Sequence, residues 1–438
     1  MRHKEYLSLA IPLMLSTMTT PILGAVDTAV VGHVSGATYI GAVAIGSLIF
    51  STIYWLFGFL RVSTSGFSAQ AVGKGAKEEL LHALTRPMFL ALLVGVSFIL
   101  LQWPIGKIAL MVIKPSQEVQ ELALNYFYIR IWGAPFALIT YVILGFLIGT
   151  GRVKVSLFLQ IGMNVVNIVL DFLFVQGFGW AVKGVAFATL IAEVSGAVVG
   201  MIIIAQTFNL SLKKWSFVST ANFSSFKKML EVNRDLFIRT FCLIVMYNMF
   251  TAKGADFGTE ILAANAILLQ IQFIMAYCLD GFANATSIVV GRAVGSNNES
   301  LYNKGLSLTT YWGLIAVCFL SLCYLFMDNA LFSLFTNDMS TIEAAKEYSF
   351  WLTLFPFATG AGLLFYGVFT GATRAKPIRD STIFALFFFL VSYFLLPPFY
   401  GNHGLWIAFL VFNAGRSLFL VASLPKLKKQ VLTKGIPV

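Results

Sequence analysis

Charged residues are scarce in this sequence. Asp, Glu, Lys and Arg together make up 11% of the 438 residues, whereas a soluble globular domain has about 25%. Hydrophobic residues account for 58%, and the mean hydropathy is +0.83. A surface with so little charge is suited to lipid rather than to water. The scarcity therefore excludes an ordinary soluble protein and indicates an integral membrane protein.

Cysteine and histidine are also rare, with four residues of each. The cysteines form no Cys-x-x-Cys pair and all lie in apolar runs, so we expect them to be small buried hydrophobic side chains. The sequence has neither a His-Glu-x-x-His motif nor a Gly-x-x-x-x-Gly-Lys-Ser/Thr loop. We therefore predict no enzyme and no ATP-driven pump, and expect no catalytic residue, resident metal or cofactor apart from a coupling ion.

Long apolar runs fill most of the sequence. About twelve follow one another, from 6–32 to 403–424, and each has the roughly 20 residues that a helix needs to cross a bilayer. Strands of a β-barrel would instead alternate in short segments. The first run is longer than the apolar region of a signal peptide and lacks an Ala-x-Ala site, so we expect it to be retained. The predicted fold is all-α and integral to the membrane.

The net charge of +11 is distributed unevenly along the chain. Most lysines and arginines fall in alternate loops, on the side that also holds both ends of the chain. This distribution predicts a multi-pass protein of the cell (inner) membrane with both termini in the cytoplasm. It also explains the basic net charge, so no nucleic-acid partner is expected. The expected partners are the lipid bilayer and small molecules, and a monomer is expected.

Motifs recur along the chain at an offset of 222 residues. Ala-Val-Gly at 71–73 recurs at 293–295, and the glycines and basic residues of 145–154 recur at 367–376. Any one match is weak evidence, but several matches at nearly one offset indicate a duplication. Each copy contains six apolar runs, and an even number gives both copies the same orientation in the membrane.

The duplication predicts two parallel-repeat six-helix bundles around a central cleft. Residues 1–207 are predicted to form the N-terminal bundle. The polar and basic segment 208–228 is predicted to be a cytoplasmic linker, and residues 229–438 the C-terminal bundle with a basic tail. Two like-facing bundles with a cleft between them permit rocking about a central site.

Two carboxylates interrupt the apolar runs of the first copy. They are Asp27 and Asp171, although a charge at bilayer depth is disfavoured by roughly 3 kcal/mol or more. Asn164, Asn167 and Asp171 are spaced i, i+3 and i+7, so they share one helix face. The predicted topology places a whole polar set in the outer half of the membrane: Asp27, Tyr126, Asn164, Asn167, Asp171 and Thr189.

The second copy does not repeat this polar set. The residues 222 positions after Asp27, Asn167, Asp171 and Thr189 are Met249, Phe389, Tyr393 and Val411. A polar layer with a purely structural role would be expected in both copies. The asymmetry therefore favours a functional role in the first copy.

Carboxylates beside amide and hydroxyl oxygens suit two tasks. Burial disfavours an ionised carboxylate, so such a group can bind a proton reversibly, and the same negative pocket would attract cationic substrates. Alternatively the oxygens can hold Na⁺, for which the candidate ligands are Asp27, Asn167, Asp171 and Thr189. Pro12 and Pro21 each remove a backbone hydrogen bond from the first run, which predicts a hinge there.

Other charged residues have a less definite role. Asp280 and Glu193 are candidates for lining the substrate cleft, or for pairing with a cation such as Arg416. Arg130 lies four residues after Tyr126 and is a candidate modulator of the acidic pocket. At the start of the seventh run a local salt-bridge cluster is predicted, formed by Arg234, Asp235 and Arg239.

With these residues the chain resembles the multidrug and toxic compound extrusion (MATE) transporters of the DinF-like branch. The resemblance rests on Asp27 in Val-Asp-Thr-Ala-Val-Val-Gly-His, on Asn167-x-x-x-Asp171 and on the recurring glycine motifs. It implies that these residues, with Tyr126 and Thr189, form a cation or proton site. It further implies efflux of organic cations and amphipathic drugs in exchange for H⁺ or Na⁺.

Two alternatives to proton-coupled drug efflux remain open. Na⁺ coupling in another branch of the family uses acids of the second bundle, which the tenth run here lacks, so H⁺ is favoured. A flippase for lipid precursors would need a strongly cationic central cavity to hold phosphates. The charges within the runs are mixed, so this alternative is less favoured.

Overall fold

The computed structural model describes residues 1–32, 37–114, 116–208, 223–336 and 338–432. The side chains of residues 19–32, 37 and 223 lie outside that description. Three predictions therefore fall wholly or largely beyond the described residues. They concern the side chain of Asp27, the side chain of Pro21 and the linker at 208–228.

Fifteen α-helices make up nearly all of the described residues, with no strand among them. A 3₁₀ turn (Ile131–Gly133) joins α6 to α7, and a π-helical segment (Phe172–Gly177) follows α8. The helices are α1 His3–Gly32, α2 Ala37–Phe57, α3 Phe59–Lys74, α4 Lys77–Leu100, α5 Gln102–Ile113, α6 Gln117–Arg130, α7 Ala134–Gly149, α8 Val153–Asp171, α9 Ala181–Phe208, α10 Phe223–Asp256, α11 Thr259–Gly295, α12 Glu299–Phe335, α13 Met339–Gly371, α14 Lys376–Leu395 and α15 Pro397–Leu432.

Eleven helical segments of the described chain are long and apolar enough to cross a membrane. Some of them join two helices, as Thr38–Lys74 joins α2 to α3 and Gln117–Gly149 joins α6 to α7. Large apolar side chains such as Phe399 and Phe326 are exposed on these segments, as expected where lipid replaces water. The prediction of an all-α integral membrane fold is confirmed.

The chain divides into two compact units. The N-terminal unit comprises Met18–Val72 and Ala76–Phe226, and the C-terminal unit comprises Met1–Thr17, Gly73–Gly75 and Lys227–Val438. Their bounds thus differ from the predicted domains at the start of the chain, because the first half of α1 groups with the helices of the second copy.

Hydrogen bonds explain why the start of α1 belongs to the C-terminal unit. The Tyr6 hydroxyl is fully buried and lies 3.0 Å from Thr286 Oγ1 of α11. Near the end of this segment, the backbone of Met14 passes so close to Gly281 that a Cβ there would overlap it. Thr17 Oγ1 donates to the carbonyl of Tyr277 at 3.0 Å. These contacts fix the segment to one face of α11.

The backbone repeats the 222-residue offset seen in the sequence. Residues in the left-handed region occur in pairs at that spacing: Gly75 and Asn297, Gly151 and Thr373, Gly179 and Gly401. The hydrogen bonds that end α7 and α13 match in the same way, since Arg152 N donates to Leu147 O at 2.8 Å and Arg374 N to Phe369 O at 2.9 Å. Three turns between helices therefore have matching backbone conformations in the two copies.

Glycine allows one helix pair in each copy to pack backbone against backbone. A Cβ at Gly145 of α7 would overlap the carbonyl of Arg61 in α3, and a Cβ at Gly149 would overlap that of Ser65. In the second copy Gly367 and Gly371 of α13 meet the carbonyls of Ala283 and Ser287 in the same way. The recurring Gly-x-x-x-Gly motif is thus a helix-packing motif.

Candidate functional site in the N-terminal unit

The face that α8 turns toward α9 carries the predicted polar residues. Asn167 and Asp171 are both buried, with 1% and 0% of their surface exposed. Asn167 Nδ2 donates to Thr189 Oγ1 of α9 at 3.3 Å, and Thr189 Oγ1 in turn donates to the carbonyl of Val185 at 2.9 Å. Two candidate ion-binding side chains are therefore in direct contact, one helical turn from a buried carboxylate.

The backbone changes form directly after Asp171. The α-helical hydrogen bonding of α8 ends there, and Phe172–Gly177 continue as a π-helix. Single π-helical turns are rare in proteins, and those that occur are often at functional sites. The chain then turns through Gly179 and begins α9 at Ala181. Asp171 thus lies at a local irregularity of the helix, which distinguishes it from an ordinary buried residue.

A second polar cluster joins α6 to α9. Arg130 Nη1 donates to the hydroxyl of Tyr126 at 2.8 Å, and Arg130 Nη2 lies 3.6 Å from Glu193 Oε1. The Tyr126 hydroxyl also lies 3.2 Å from Ser47 Oγ. The guanidinium lies 4.7 Å from the ring centre of Phe50, close enough for a cation–π contact. Arg130, Tyr126 and Glu193 therefore form one largely buried network.

The two clusters lie along one face of α9. Thr189 and Glu193 are four residues apart, so their side chains project from the same face, with about 6 Å of rise between them. Both are buried. One continuous polar surface consequently runs from the Asn167–Thr189 contact to the Arg130–Glu193 pair. Such a surface can hold a proton or a small cation. It also contains Arg130, whose interaction with Glu193 depends on the charge of that carboxyl group.

The predicted residues are brought together only in part. Asn167, Asp171 and Thr189 lie at the α8–α9 contact, and Tyr126 joins the neighbouring network. Asn164 lies on α8 one turn before Asn167 and is only half-buried. Pro12 lies within the continuous helix α1, in the segment of the C-terminal unit. The functional roles of all these residues stay predictions.

Some features of the site were not apparent from the sequence. Ser47 and the π-helical segment were missed, and no sequence pattern marks either. The Arg130–Glu193 pair was also missed, and Glu193 lies beside Arg130 instead of Arg416. Tyr126 and Arg130 are four residues apart, and this spacing was the available signal for the hydrogen bond between them.

Several acidic and basic residues of the C-terminal unit have local partners. Asp280 Oδ2 accepts a hydrogen bond from Asn284 Nδ2 at 2.9 Å, on the same helix. The predicted salt-bridge cluster at the start of α10 is present for two of its three members, since Asp235 Oδ1 lies 2.9 Å from Arg234 Nη2. The third member of the cluster is Arg379 of α14, whose Nη1 lies 2.9 Å from Asp235 Oδ1. Arg239 lies elsewhere, against the ring of Tyr366.

No group of three or more His, Cys, Asp or Glu side chains that could hold a metal ion occurs among the described residues. The oxygens gathered at the α8–α9 contact come instead from one carboxylate, one amide and one hydroxyl. This set is poor for a divalent ion, whereas a proton needs only the carboxylate.

A membrane-spanning helical protein with buried polar and ionisable groups inside its bundle has the features of a secondary transporter. The chain matches the MatE family over residues 12–173 and again over 236–395. These two matches cover most of its length, and the chain belongs to the MatE family. It is therefore a multi-pass membrane transporter and not an enzyme.

Known proteins place the chain more closely within this family. It is 36% identical over 415 residues to DNA damage-inducible protein F of Escherichia coli (strain K12), covering 94% of this chain and 90% of that protein. The probable multidrug resistance protein NorM of Photorhabdus laumondii is 22% identical over 388 residues, or 87% and 84% of the two chains. The resemblance to the DinF-like branch is thus confirmed.

A solved structure shares the fold. It is a MOP superfamily transporter from Pyrococcus furiosus Vc1, with a TM-score of 0.88 and 20% sequence identity. The similarity covers 99% of this chain and 97% of that one.

Proposed function

We propose that the protein is a secondary active multidrug efflux transporter, which exports cationic or amphipathic drugs in exchange for H⁺ by alternating access. The NorM relative is named a probable multidrug resistance protein, which supports drugs as the substrates. The buried polar residues of the N-terminal unit support the coupling to an ion. We further propose that it lies in the cell (inner) membrane with both termini in the cytoplasm, as a monomer.

The observation that carries the proposal is the setting of Asp171. Its side chain is fully buried at the end of α8, beside the Asn167–Thr189 contact and at the start of a π-helical segment. A carboxylate within a membrane-spanning helix is retained at a cost of roughly 3 kcal/mol or more, and usually serves an ion or proton pathway. The second copy has a tyrosine, Tyr393, at the matching position.

In the proposed mechanism Asp27 and Asp171 exchange protons for a cationic drug. A protonated carboxyl is neutral and tolerates burial, whereas an ionised one favours a state in which a cation or water reaches it. The two conformations therefore bind the proton with different affinities. Such a difference is what allows proton binding to shift the equilibrium between them. Pro12 and Pro21 are proposed to let α1 bend between these conformations.

A second coupling ion, Na⁺, is the alternative. Asn167 and Thr189 supply amide and hydroxyl oxygens beside a carboxylate, and hard monovalent cations bind such oxygens. Either ion would use the same residues, so the choice must come from the driving force. Transport in sodium-free buffer distinguishes the two.

The experiment uses proteoliposomes loaded with a fluorescent organic cation under an imposed pH gradient, without sodium. Wild-type protein should export the cation, whereas Asp27→Asn and Asp171→Asn should not, although both variants insert and purify normally. If either variant exports the cation as fast as wild type, that carboxylate is not a coupling site. If wild type exports only after sodium is added, the proton assignment is wrong.

A further inference from the structure

The C-terminal unit buries a cation that has no acidic partner among the described residues. Arg416 of α15 is only 5% exposed, and its guanidinium lies 5.6 Å from the ring centre of Phe412. Its Nε atom is buried and has no hydrogen-bond partner among the described residues. No carboxylate of the described chain forms an ion pair with it. This is an unusual position for a permanent positive charge.

A second arginine lies in the same region. Arg239 of α10 places its guanidinium 4.8 Å from the ring centre of Tyr366, and its buried Nε also has no hydrogen-bond partner within the described part of the chain. Arg416 interacts electrostatically with Arg239, as well as with Tyr247 and Tyr366. Tyr247 and Tyr366 are thus shared neighbours of the two arginines, which brings two like charges into one region of this unit.

Aromatic rings lie beside both arginines, since Phe412 faces Arg416 and Tyr366 faces Arg239. Tyr247 lies 5.0 Å from Phe273 and 5.9 Å from Phe409, measured between ring centres, and its hydroxyl donates to Gln272 Oε1 at 3.1 Å. The region thus combines a cationic end with apolar, flat walls. Aromatic side chains favour flat ligands through stacking and edge contacts.

An uncompensated buried charge is costly, and two like charges near each other increase that cost. Cation–π contacts return only a part of it. An oxyanion would remove the repulsion and would satisfy guanidinium N–H groups, which match carboxylate and phosphate in geometry. The arrangement is therefore suited to a ligand more than to folding.

We propose that Arg239 and Arg416 form a binding site for an amphipathic anion, an oxyanion carried on an aromatic or other apolar body. The oxyanion binds the two guanidinium groups and the apolar body packs against the surrounding rings. The site goes beyond the proposed function, which concerns cations and protons in the N-terminal unit. It adds amphipathic organic acids to the ligands of the protein. Its test measures binding, so it does not depend on transport.

The test compares two ligands that differ only in charge. Full-length protein in nanodiscs of phosphatidylcholine is titrated with 2-naphthoate and with neutral 2-naphthamide by calorimetry. A charge-assisted hydrogen bond contributes enough for about a tenfold difference in affinity, so wild type should bind naphthoate at least about tenfold more tightly. Arg416→Gln and Arg239→Gln should each remove that preference and leave naphthamide binding unchanged.

Arg234→Gln is the matched control. It removes an exposed arginine of the same helix as Arg239, which pairs with Asp235 outside the site, and it should bind naphthoate like wild type. Thermal unfolding without ligand adds a separate readout, because removal of an uncompensated charge should leave the melting temperature of Arg416→Gln unchanged or raise it. If Arg416 instead stabilised the fold, its replacement would clearly lower the melting temperature.

The proposal is overturned if naphthamide binds as tightly as naphthoate, or if both arginine variants keep the preference for naphthoate. If Arg416→Gln fails to fold, Arg239→Gln still decides, since Arg239 is only half-buried. Nanodiscs containing phosphatidylglycerol separate two sources of the anion. Loss of naphthoate binding in them assigns the site to a lipid headgroup, and unchanged binding assigns it to a soluble organic acid.

Discussion

In the first copy α8 and α9 meet through Asn167 and Thr189, whereas in the second copy the corresponding helices meet through Phe389, which matches Asn167, and Phe412, the neighbour of the Val411 that matches Thr189. The first contact is a hydrogen bond of 3.3 Å between side chains. The second is an edge-to-face contact with ring centres 6.2 Å apart, within a large aromatic core. The same helix pairing can therefore carry either polar chemistry or apolar packing.

The difference distinguishes the frame, meaning the turns and glycine contacts that both copies share, from the polar side chains found in the first copy alone. The left-handed turns and the close glycine contacts occur in both copies, so they are requirements of the fold. The amide, hydroxyl and carboxylate at the α8–α9 contact occur in one copy only. Burying polar groups costs stability unless a partner or a function retains them. We therefore expect substitutions of the frame to harm both copies alike, and substitutions of the polar set to harm transport alone.

The largest effect is expected from Asp171→Asn, compared with Tyr393→Phe at the matching position of the second copy. The first change removes a titratable group and should reduce pH-driven efflux to the level of empty vesicles. The second change removes only a hydroxyl from a partly buried ring and should leave efflux close to wild type. Equal losses in both variants would show that the two copies contribute alike, and would contradict a coupling site confined to the first copy.

A large effect on stability is expected from Gly145→Ala and Gly367→Ala. Each added methyl group meets a backbone carbonyl of the neighbouring helix, which cannot rotate away, and overpacking of this kind costs about 1–3 kcal/mol. Thermal unfolding in detergent should show a similar fall for both variants. Gly162→Ala is the control, because nothing in the described chain lies within 4 Å of its new methyl group. A wild-type melting temperature for either variant would show that the two copies do not depend on the same close helix contact.

A smaller effect is expected at the turns after α7 and α13. Gly151 has φ of +85° and its counterpart Thr373 has φ of +51°, a region that costs a residue with a side chain about 1–2 kcal/mol. Gly151→Thr should therefore lower the unfolding temperature. Thr373→Gly should change it less and in the opposite direction, since loss of the buried side chain offsets the relief. A higher unfolding temperature for Gly151→Thr would contradict this.

The smallest effect is expected at two helix N-termini. Asp338 caps α13, with its Oδ2 accepting from Thr341 N at 3.2 Å, whereas Ser116, 222 residues earlier, makes no side-chain cap bond to α6. Hydrogen bonds from the Thr341 and Ser340 side chains lower the pKa of Asp338 below its ordinary value. The stability from this cap is therefore present above the ordinary pKa of Asp and is lost as the pH falls through the lowered value.

Unfolding of Asp338→Ala measured across pH tests this cap. The variant should be less stable than wild type near neutral pH, and the difference should shrink as the solution is acidified. A difference that is the same at every pH would assign the effect to something other than the ionised cap. Ser116→Asp should give a small gain in stability near neutral pH, because an acidic N-cap also suits the helix dipole.

Much of the fold was predictable from the sequence because membrane helices are defined by local composition. Long apolar runs predicted the spans, and the 222-residue offset predicted the duplication, which the structure shows again in the turns at Gly151 and Thr373. The grouping of the start of α1 with the C-terminal unit was not predictable, since it depends on contacts such as Tyr6 with Thr286. Hydropathy carries no information about which neighbour a helix chooses.

The candidate site was predictable in part for a similar reason. Spacing along α8 put Asn167 and Asp171 on one face, and a resemblance to known transporters pointed to Thr189. The pairing of Arg130 with Glu193 depends on the rotation of α6 and α9 about their axes, which the sequence does not specify. The cations Arg239 and Arg416 were visible as charges in apolar runs, but their shared environment is a property of the packing.

The coupling of drug to proton through the first copy is tested most directly by proton movement itself. Proteoliposomes containing a trapped pH-sensitive dye, without sodium and with no initial gradient, are supplied with an organic cation on one side. Wild-type protein should move protons in the opposite direction as the cation enters, and Asp171→Asn should move none. Proton movement by Asp171→Asn at the wild-type rate, or none by wild type until sodium is added, would contradict proton coupling through this carboxylate.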